Sequence, residues 1–463
     1  MLMGLKRRIY PTSEQKITLS QWMGADRLIW NAKCDQWNYE RTFAAKYLPV
    51  GTYAAIDASY AQFKNKELTP YLFDVPPEVI KDAANRWRNT MRDWMSPKHP
   101  QTSPARKRKK QGEESVYLEK KLFRFEIDLI TQKQKLFIGS EKYPLGFIEL
   151  EERGSFEEPK SLRIKKKAGI WWVSFCYQDA LDESSLLSKQ ERLEQFRKLS
   201  DEELSVRVIG IDRGVKVACQ TNQETFDYSK QEKNSLKSKD KKIRKHQKHL
   251  ARQKKGSNRS KKRKHKISRL SMDRENIRNN FCHQVSHNLT KQEGEKPVGK
   301  VIVMEDLKIK NMTKRAKPKK NEETGVWEKN GASQKSGLNR AILSIGWYKL
   351  EQFTEYKAYR RGHLFLKVSA HYSSQECADC GHIHPSNRKT QASFECQKCG
   401  RKENADKNAA DVLQKRAIKL IQHSGSELSE KGVLYLPDKG RGALSKSKGT
   451  MVSQDTGLRS VNC

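Results

Sequence analysis

The chain has 463 residues, more than one hydrophobic core usually serves, so two to four domains are expected. Its 93 Lys and Arg stand against 55 Asp and Glu, a formal net charge of +38 at a pI of about 9.8. Charge gathered this heavily repels itself in the compact state and calls for a polyanionic partner. No span and no strongly amphipathic anchor helix accompanies it, which favours nucleic acid over an anionic membrane.

Nine cysteines with no apolar leader point to a cytoplasmic, reducing setting, where thiols bind metal rather than pair. Residues 5–10 alternate enough for a short strand, which Pro11 ends. Thr12-Ser13-Glu14-Gln15 is a capping-box pattern that starts a helix, with Ile17, Trp22, Met23, Leu28, Ile29 and Trp30 as its apolar face. A second helix follows Pro76-Pro77 and carries Val79, Ile80, Ala83, Ala84, Trp87 and Trp94. Most of these tryptophans, at helical spacing, read as core rather than as base-stacking residues. Residues 96–110 form a Pro-rich, then basic linker, read as a phosphate contact. Five apolar stretches between 116 and 178, split by turn residues, suggest a small antiparallel barrel that residues 5–10 complete. Residues 180–204 are acidic and polar, a linker with some helix.

Val206–Ile211 is nearly continuously apolar and reads as a buried central strand. It ends at Asp212, turns at Arg213-Gly214 and resumes as Val215–Ala218. Residues 233–290 form a basic helical hairpin broken at Gly256-Ser257-Asn258. It has few acidic partners before Asp273 and Glu275, so its self-repulsion is unrelieved without an anion. Val301–Met304 is a second buried strand and ends at Glu305. Residues 310–337 read as a mobile basic loop, 338–361 as helix, and Leu364–Val368 as a third strand. A helix from about Asp406 buries Ala409, Val412, Leu413, Ala417, Leu420 and Ile421. The Gly-, Ser- and Lys-rich tail, 424–463, is expected to be largely disordered.

Two constellations carry chemistry. Cys377, Cys380, Cys396 and Cys399 form two CxxC knuckles, the spacing with which four thiolates close around one structural zinc. His382 and His384 are left as surface residues. Such a site would stabilise the small loop by an apparent ~10–16 kcal/mol, which its few apolar residues could not supply. Asp212 and Glu305 each end an apolar strand, and Asp406 starts a helix. A sheet of the RNase H kind would bring the three carboxylates together, where they repel unless divalent cations join them. Two Mg²⁺ ions ~3.5–4 Å apart would then activate water and stabilise the leaving 3′ oxygen of a phosphodiester.

At these residues the chain resembles the TnpB family, transposon-encoded RNA-guided nucleases related to type V CRISPR effectors. The resemblance covers most of residues 5–422. It rests on Arg8–Thr12 with Glu14-Gln15, Gly210-Ile211-Asp212-Arg213-Gly214, Val303–Leu307, Gly346-Trp347 with Glu355–Ala358, Ser374-Gln375 with the knuckles, and Asn404–Ala410. It implies a multidomain α+β and α/β protein. Residues 1–10 and 116–180 would form a wedge-like β-barrel and 12–110 a helical recognition lobe. Residues 205–370 and 404–423 would form a RuvC nuclease domain of the RNase H kind, and 371–403 a zinc ribbon inserted in it. It implies Asp212, Glu305 and Asp406 as the catalytic, Mg²⁺-binding triad. The implied partners are a guide RNA from the transposon end and target DNA beside a short flanking motif, with one chain, or a dimer, per guide.

A compact CRISPR effector with a CRISPR-derived guide has the same chemistry and differs in its genomic neighbourhood. An RNA-guided repressor would lack the three carboxylates. A strand-transfer transposase would need a free 3′-OH DNA end and gives no reason for the basic surface.

Overall fold

A computed structural model of the chain describes residues 2–43, 46–47, 56–110, 114–127, 134–151, 156, 158–178, 186–291 and 299–437. It divides into two compact units, Met1–Ser185 with Ser235–Glu275, and Leu186–Asn234 with Asn276–Cys463. No helix among the described residues is long and apolar enough to cross a membrane.

The first unit contains β1 (Leu2–Tyr10), α1 (Ser13–Thr42), α2 (Pro77–Met95), β2 (Glu114–Glu119), β3 (Phe123–Ile127), β4 (Gln134–Gly139), β5 (Pro144–Leu150), β6 (Ser161–Lys167) and β7 (Ile170–Gln178). The strands form one antiparallel sheet in the order β2-β6-β7-β1-β5-β4-β3. Its two edge strands, β2 and β3, are joined by the single turn Lys120–Leu122. At the start of α1 the Gln15 N–H donates to Thr12 Oγ1 at 3.3 Å and the Thr12 N–H to Gln15 Oε1 at 2.9 Å. The Gln15 amide then reaches the carbonyls of Leu145 and Phe147, fastening the helix start to β5.

The helices and this sheet share one core: Ile9, Trp22, Ile29, Val79 and Ile80 pack with Val116, Leu136, Ile148, Trp171 and Val173. A separate helical lobe and barrel were expected. The apolar faces of α1 and α2 are buried on the sheet. Trp22, Trp30 and Trp87 are core residues, whereas Ile17 is exposed. The expected linker, 96–110, is fastened as well. The Trp30 indole N–H donates to Arg106 O at 2.8 Å, the Asn31 amide bonds the Arg108 backbone in both directions, and the Arg108 guanidinium lies 3.5 Å from the Trp30 ring centre.

The second unit begins with α3 (Lys189–Arg197), α4 (Asp201–Arg207), β8 (Val208–Asp212), β9 (Cys219–Thr221) and β10 (Thr225–Phe226). The hairpin α5 (Lys230–Ala251) and α6 (Asn258–Leu289) follows, its residues 235–275 belonging to the first unit. Then come β11 (Val301–Glu305), α7 (Ile309–Met312), β12 (Lys319–Lys320), β13 (Trp327–Glu328), α8 (Ala332–Ile345), α9 (Trp347–Arg360) and β14 (Leu364–Val368). The chain continues with β15 (Ser393–Glu395), β16 (Lys402–Asn404), α10 (Ala405–Gln422), β17 (Glu427–Leu428) and β18 (Leu434–Tyr435). The central sheet has the order β10-β9-β8-β11-β14, with β8, β11 and β14 parallel and β9 and β10 antiparallel.

Several expectations are corrected here. The expected linker with some helix holds two helices that start within residues 186–204: Ser188 with Glu191 and Ser200 with Glu203 make two capping boxes. Leu193, Phe196 and Leu204 of these helices are buried beside Val208, Val301, Leu364 and Leu413; residues 180–185 lie outside the described residues. The central strand starts at Val208, because 201–207 are helical and Val206 faces solvent. Its partner strand starts at Cys219 rather than Val215, after the tight Gly214 turn. The basic loop 310–337 holds α7, the β12–β13 hairpin and the first turn of α8. The helix beyond it is two helices, broken where Gly346 takes φ +90°.

The start of the expected disordered tail is ordered too. β17 and β18 pair, Val433 bridges Lys367 of β14, and Leu434 is buried in the core of this unit. Residues 438–463 lie outside the described residues.

Candidate active site

Three elements position the carboxylates. In β8 and β11 the register pairs Met304 with Ile211, so Glu305 follows beside Asp212 at the same end of two parallel strands. Helix α10 runs antiparallel to β8. A Cβ on Gly210 would stand 2.1 Å from the Ala410 carbonyl oxygen, so strand and helix touch through backbone, and only glycine permits the contact. Further along, the Gln414 amide donates to the carbonyls of Ser205 and Val208. Asp406 lies one helical turn before Ala410, so this crossing carries it over the end of β8, towards Asp212. The turn is fixed by Asn404, whose Oδ1 accepts the N–H groups of Asp406 and Lys407 at 2.9 and 3.2 Å.

The electrostatics reflect that convergence. Burial raises Asp212, the neighbouring carboxylates of Glu305 and Asp406 raise it further, and Arg388 and Arg213 oppose them, leaving it at about 8. Burial also raises Glu305, opposed mainly by Arg213 and by a hydrogen bond from Ser373. Ser373 Oγ donates to Glu305 Oε1 at 3.3 Å. The fully buried Arg213 guanidinium donates to the Glu305 carbonyl at 2.5 Å and pairs with Glu351 at 2.8 Å. Lys367 also bonds Glu351, at 3.2 Å, and Arg388 lies 3.4 Å from Asp406. Asp212, Glu305 and Asp406 therefore share one electrostatic site. They are less tightly gathered than the four cysteines, the one such group among the described residues close enough to hold an ion as it stands.

In that group the sulfurs of Cys377, Cys380, Cys396 and Cys399 all lie within 4.8 Å of one another. Cys377 and Cys399 are 3.6 Å apart, and Cys380 and Cys396 3.5 Å. Sulfurs around a tetrahedral zinc would be separated by roughly 3.8 Å, so the set fits that ion with little adjustment. Each knuckle closes alike: Gly381 and Gly400, at φ +69° and +75°, return an N–H to Cys377 O and Cys396 O. Burial works against ionising Cys396, but the amides of Cys399 and Lys398 outweigh it and hold this thiol near 6. His382 and His384 stack on each other outside the sulfur cluster, and Cys34, Cys176, Cys219 and Cys282 are free.

One side chain joins the two centres. Asn408, fully buried on α10, accepts the Ala378 N–H at 3.1 Å and donates to Glu376 O at 2.7 Å, on either side of Cys377. Sequence reasoning did not single out Asn408, Arg213, Ser373, Glu351 or Arg388. Arg213 and Asn408 lie inside the quoted stretches, where an arginine in a buried turn and an amide on a helix's apolar side were signals. Nothing local marks the other three.

Three family models match in chain order: an OrfB IS605 helix-turn-helix domain over residues 1–41, an OrfB IS605 model described as "Probable transposase" over 188–316, and a Cas12f1-like TNB domain over 347–413. A relative from Escherichia coli strain K12, provisionally named RNA-guided DNA endonuclease InsQ, is 28% identical over 419 residues, covering 88% of this chain and 90% of that one. The CRISPR-associated endodeoxyribonuclease Cas12f1 of Sulfoacidibacillus thermotolerans is 42% identical over 72 residues, 16% of this chain and 17% of its own. Among solved structures, a Cas12f1–sgRNA–target DNA complex is similar at 16% identity over 89% of this chain and 99% of that chain, with a TM-score of 0.28. With a relative matched along most of both sequences at 28% identity and the transposase and TNB models matched in order, the chain is similar to the TnpB family.

Proposed function

We propose that the protein is an RNA-guided DNA endonuclease whose cutting centre is Asp212, Glu305 and Asp406. One observation carries this reading: β8, β11 and the start of α10 bring three carboxylates into a single field, where they raise the proton affinity of Asp212. Its oxygen-only donor set suits a hard divalent cation such as Mg²⁺. Bound there, such ions supply an activated water and charge opposite the leaving 3′ oxygen.

The chain's own residues arrange the rest. Ser373 orients the Glu305 carboxylate, and Arg213 holds the end of β11 through its carbonyl. Arg388 beside Asp406 is a guanidinium available to a phosphate oxygen. The N-terminus of α10 favours negative charge at Asp406 and on an approaching phosphate. The zinc ribbon fixes the start of that helix through Asn408. In this reading the basic hairpin holds guide RNA, one chain per guide, and the first unit reads the motif flanking the target.

Asp212→Asn is expected to lower cutting of a guide-matched duplex by about 10³-fold or more while leaving RNA-guided binding intact. Sequencing RNA that copurifies with the protein supplies the guide for this assay. Cutting by Asp212→Asn at the normal rate would remove the carboxylate from the site, and guide-free cutting would remove the RNA from the function.

A further inference from the structure

Two described residues other than glycine have positive φ, Ala168 at 52° and Tyr372 at 56°. Ala168 is accounted for: with Gly169 it makes the two-residue turn between β6 and β7, where such angles match the twist of the strands. Tyr372 has no such explanation. It lies between the end of β14 and Cys377, in a turn where glycine or asparagine would be accommodated without strain.

The backbone around Tyr372 is held on both sides. Its carbonyl accepts the N–H groups of Gln375 and Glu376 at 2.9 and 3.0 Å. Arg416 donates to the carbonyls of Ser369 and His371, each at 2.7 Å. The next residue, Ser373, is the one whose hydroxyl meets Glu305. The ring's own interactions are sparse. Among the described residues it makes an edge contact with His371, belongs to none of the hydrophobic clusters described above and is 52% exposed. A fastened, strained backbone thus carries a solvent-facing aromatic ring on the residue next to Ser373, whose hydroxyl meets Glu305.

We infer that Tyr372 stacks on the unpaired nucleobase adjoining the phosphate that is cut. This rests on the function proposed above and deepens it. A phenol ring presents a flat face that accepts any base, in keeping with sequence-independent cutting. The base must be unpaired, because a base inside a duplex has both faces occupied. The substrate at the moment of cutting is therefore a single strand, positioned by the carboxylates at its phosphate and by Tyr372 at its base. The backbone at residue 372 fixes the point from which the side chain leaves the turn, and the ring turns about its own bonds to meet a base.

The test has two arms. Single-stranded DNA carrying 5-iodouracil is irradiated with the protein, with and without its RNA, and the adducts are mapped by mass spectrometry. An adduct on Tyr372 is expected, and its absence in both states overturns the inference. In the second arm, guide-loaded Tyr372→Gly is expected to melt no lower than wild type, since glycine suits φ +56°. It should cut saturating matched target about tenfold more slowly, the scale of one base–aromatic stack. Tyr372→Phe, which keeps the ring, should retain more of the rate. Cutting by Tyr372→Gly at the wild-type rate overturns the inference. A wild-type complex that leaves matched target uncut would instead sink the proposed function, and the cross-linking arm would still decide Tyr372.

Discussion

Two demands conflict at Asp212. The fold half-buries it beside two other carboxylates, which favours its protonated form, whereas holding a cation requires the ionised one. Its folded pKa, about 8, lies above the ordinary carboxylate range. Ionisation therefore costs stability progressively as pH rises from that range, and the cost is complete above about 8. Cation binding reverses the balance by replacing the proton. At pH 7, Mg²⁺ is expected to release close to one proton per chain from the metal-free protein, and its affinity should rise about tenfold per pH unit until Asp212 ionises unaided. Calorimetry in buffers of different ionisation enthalpy measures that proton, and Asp212→Asn should abolish it. Asp212 and Glu305 were legible because an apolar strand ending in an acid is a local pattern. Arg388 and Ser373 were not, because their partners Asp406 and Glu305 lie 18 and 68 positions away and nothing near either residue announces the pairing.

Among the elements, the crossing of β8 and α10 sets the geometry of the site. Gly210→Ala would place a methyl group against the Ala410 carbonyl, a clash expected to cost about 3 kcal/mol or more and to displace Asp406 with its helix. Thermal melting and the cutting rate should therefore fall together, unlike in Asp212→Asn. The four-cysteine segment acts on the same helix from its other side. Removing zinc, or changing Cys396→Ser, should loosen Cys377 and free Asn408 from Glu376 and Ala378. Loss of cutting is then expected alongside a lowered melting transition, although no cysteine touches the carboxylates. An unchanged melting profile in metal-free protein would count against the ribbon's structural role.

Legibility at this scale followed local chemistry. The knuckles, the Thr12 capping box and the strand into Glu305 could all be read. Residues 180–204 were read from their acidic composition as a linker with some helix, and Ser188-x-x-Glu191 and Ser200-x-x-Glu203 announced where two helices start. Residues 427–435 were misread because their burial comes from β14 and α10, which no local pattern contains.

For the whole molecule the governing quantity is charge. A net +38 is relieved only in part within the described residues. The hairpin has internal pairs such as Arg274 with Asp240 and Arg269 with Asp273, but Lys241, Lys245 and Lys248 on α5 are exposed. Phosphates taking up such cations would displace condensed counterions, so RNA affinity should fall linearly on a log–log plot against salt, by ~0.7–0.9 per phosphate contacted. Replacing Lys241, Lys245 and Lys248 together by Gln is expected to flatten that slope by about 2–3 and to weaken RNA binding most at low salt. These residues lie on a solvated helix face, so melting of the free protein should not fall and should rise slightly as like charges are removed. Once RNA is saturating, the cutting rate should match that of wild type, because the carboxylates are untouched. An unaltered salt slope would place the guide elsewhere on the protein, and a lowered cutting rate at full RNA occupancy would mean that the hairpin contributes to chemistry as well as to holding the guide.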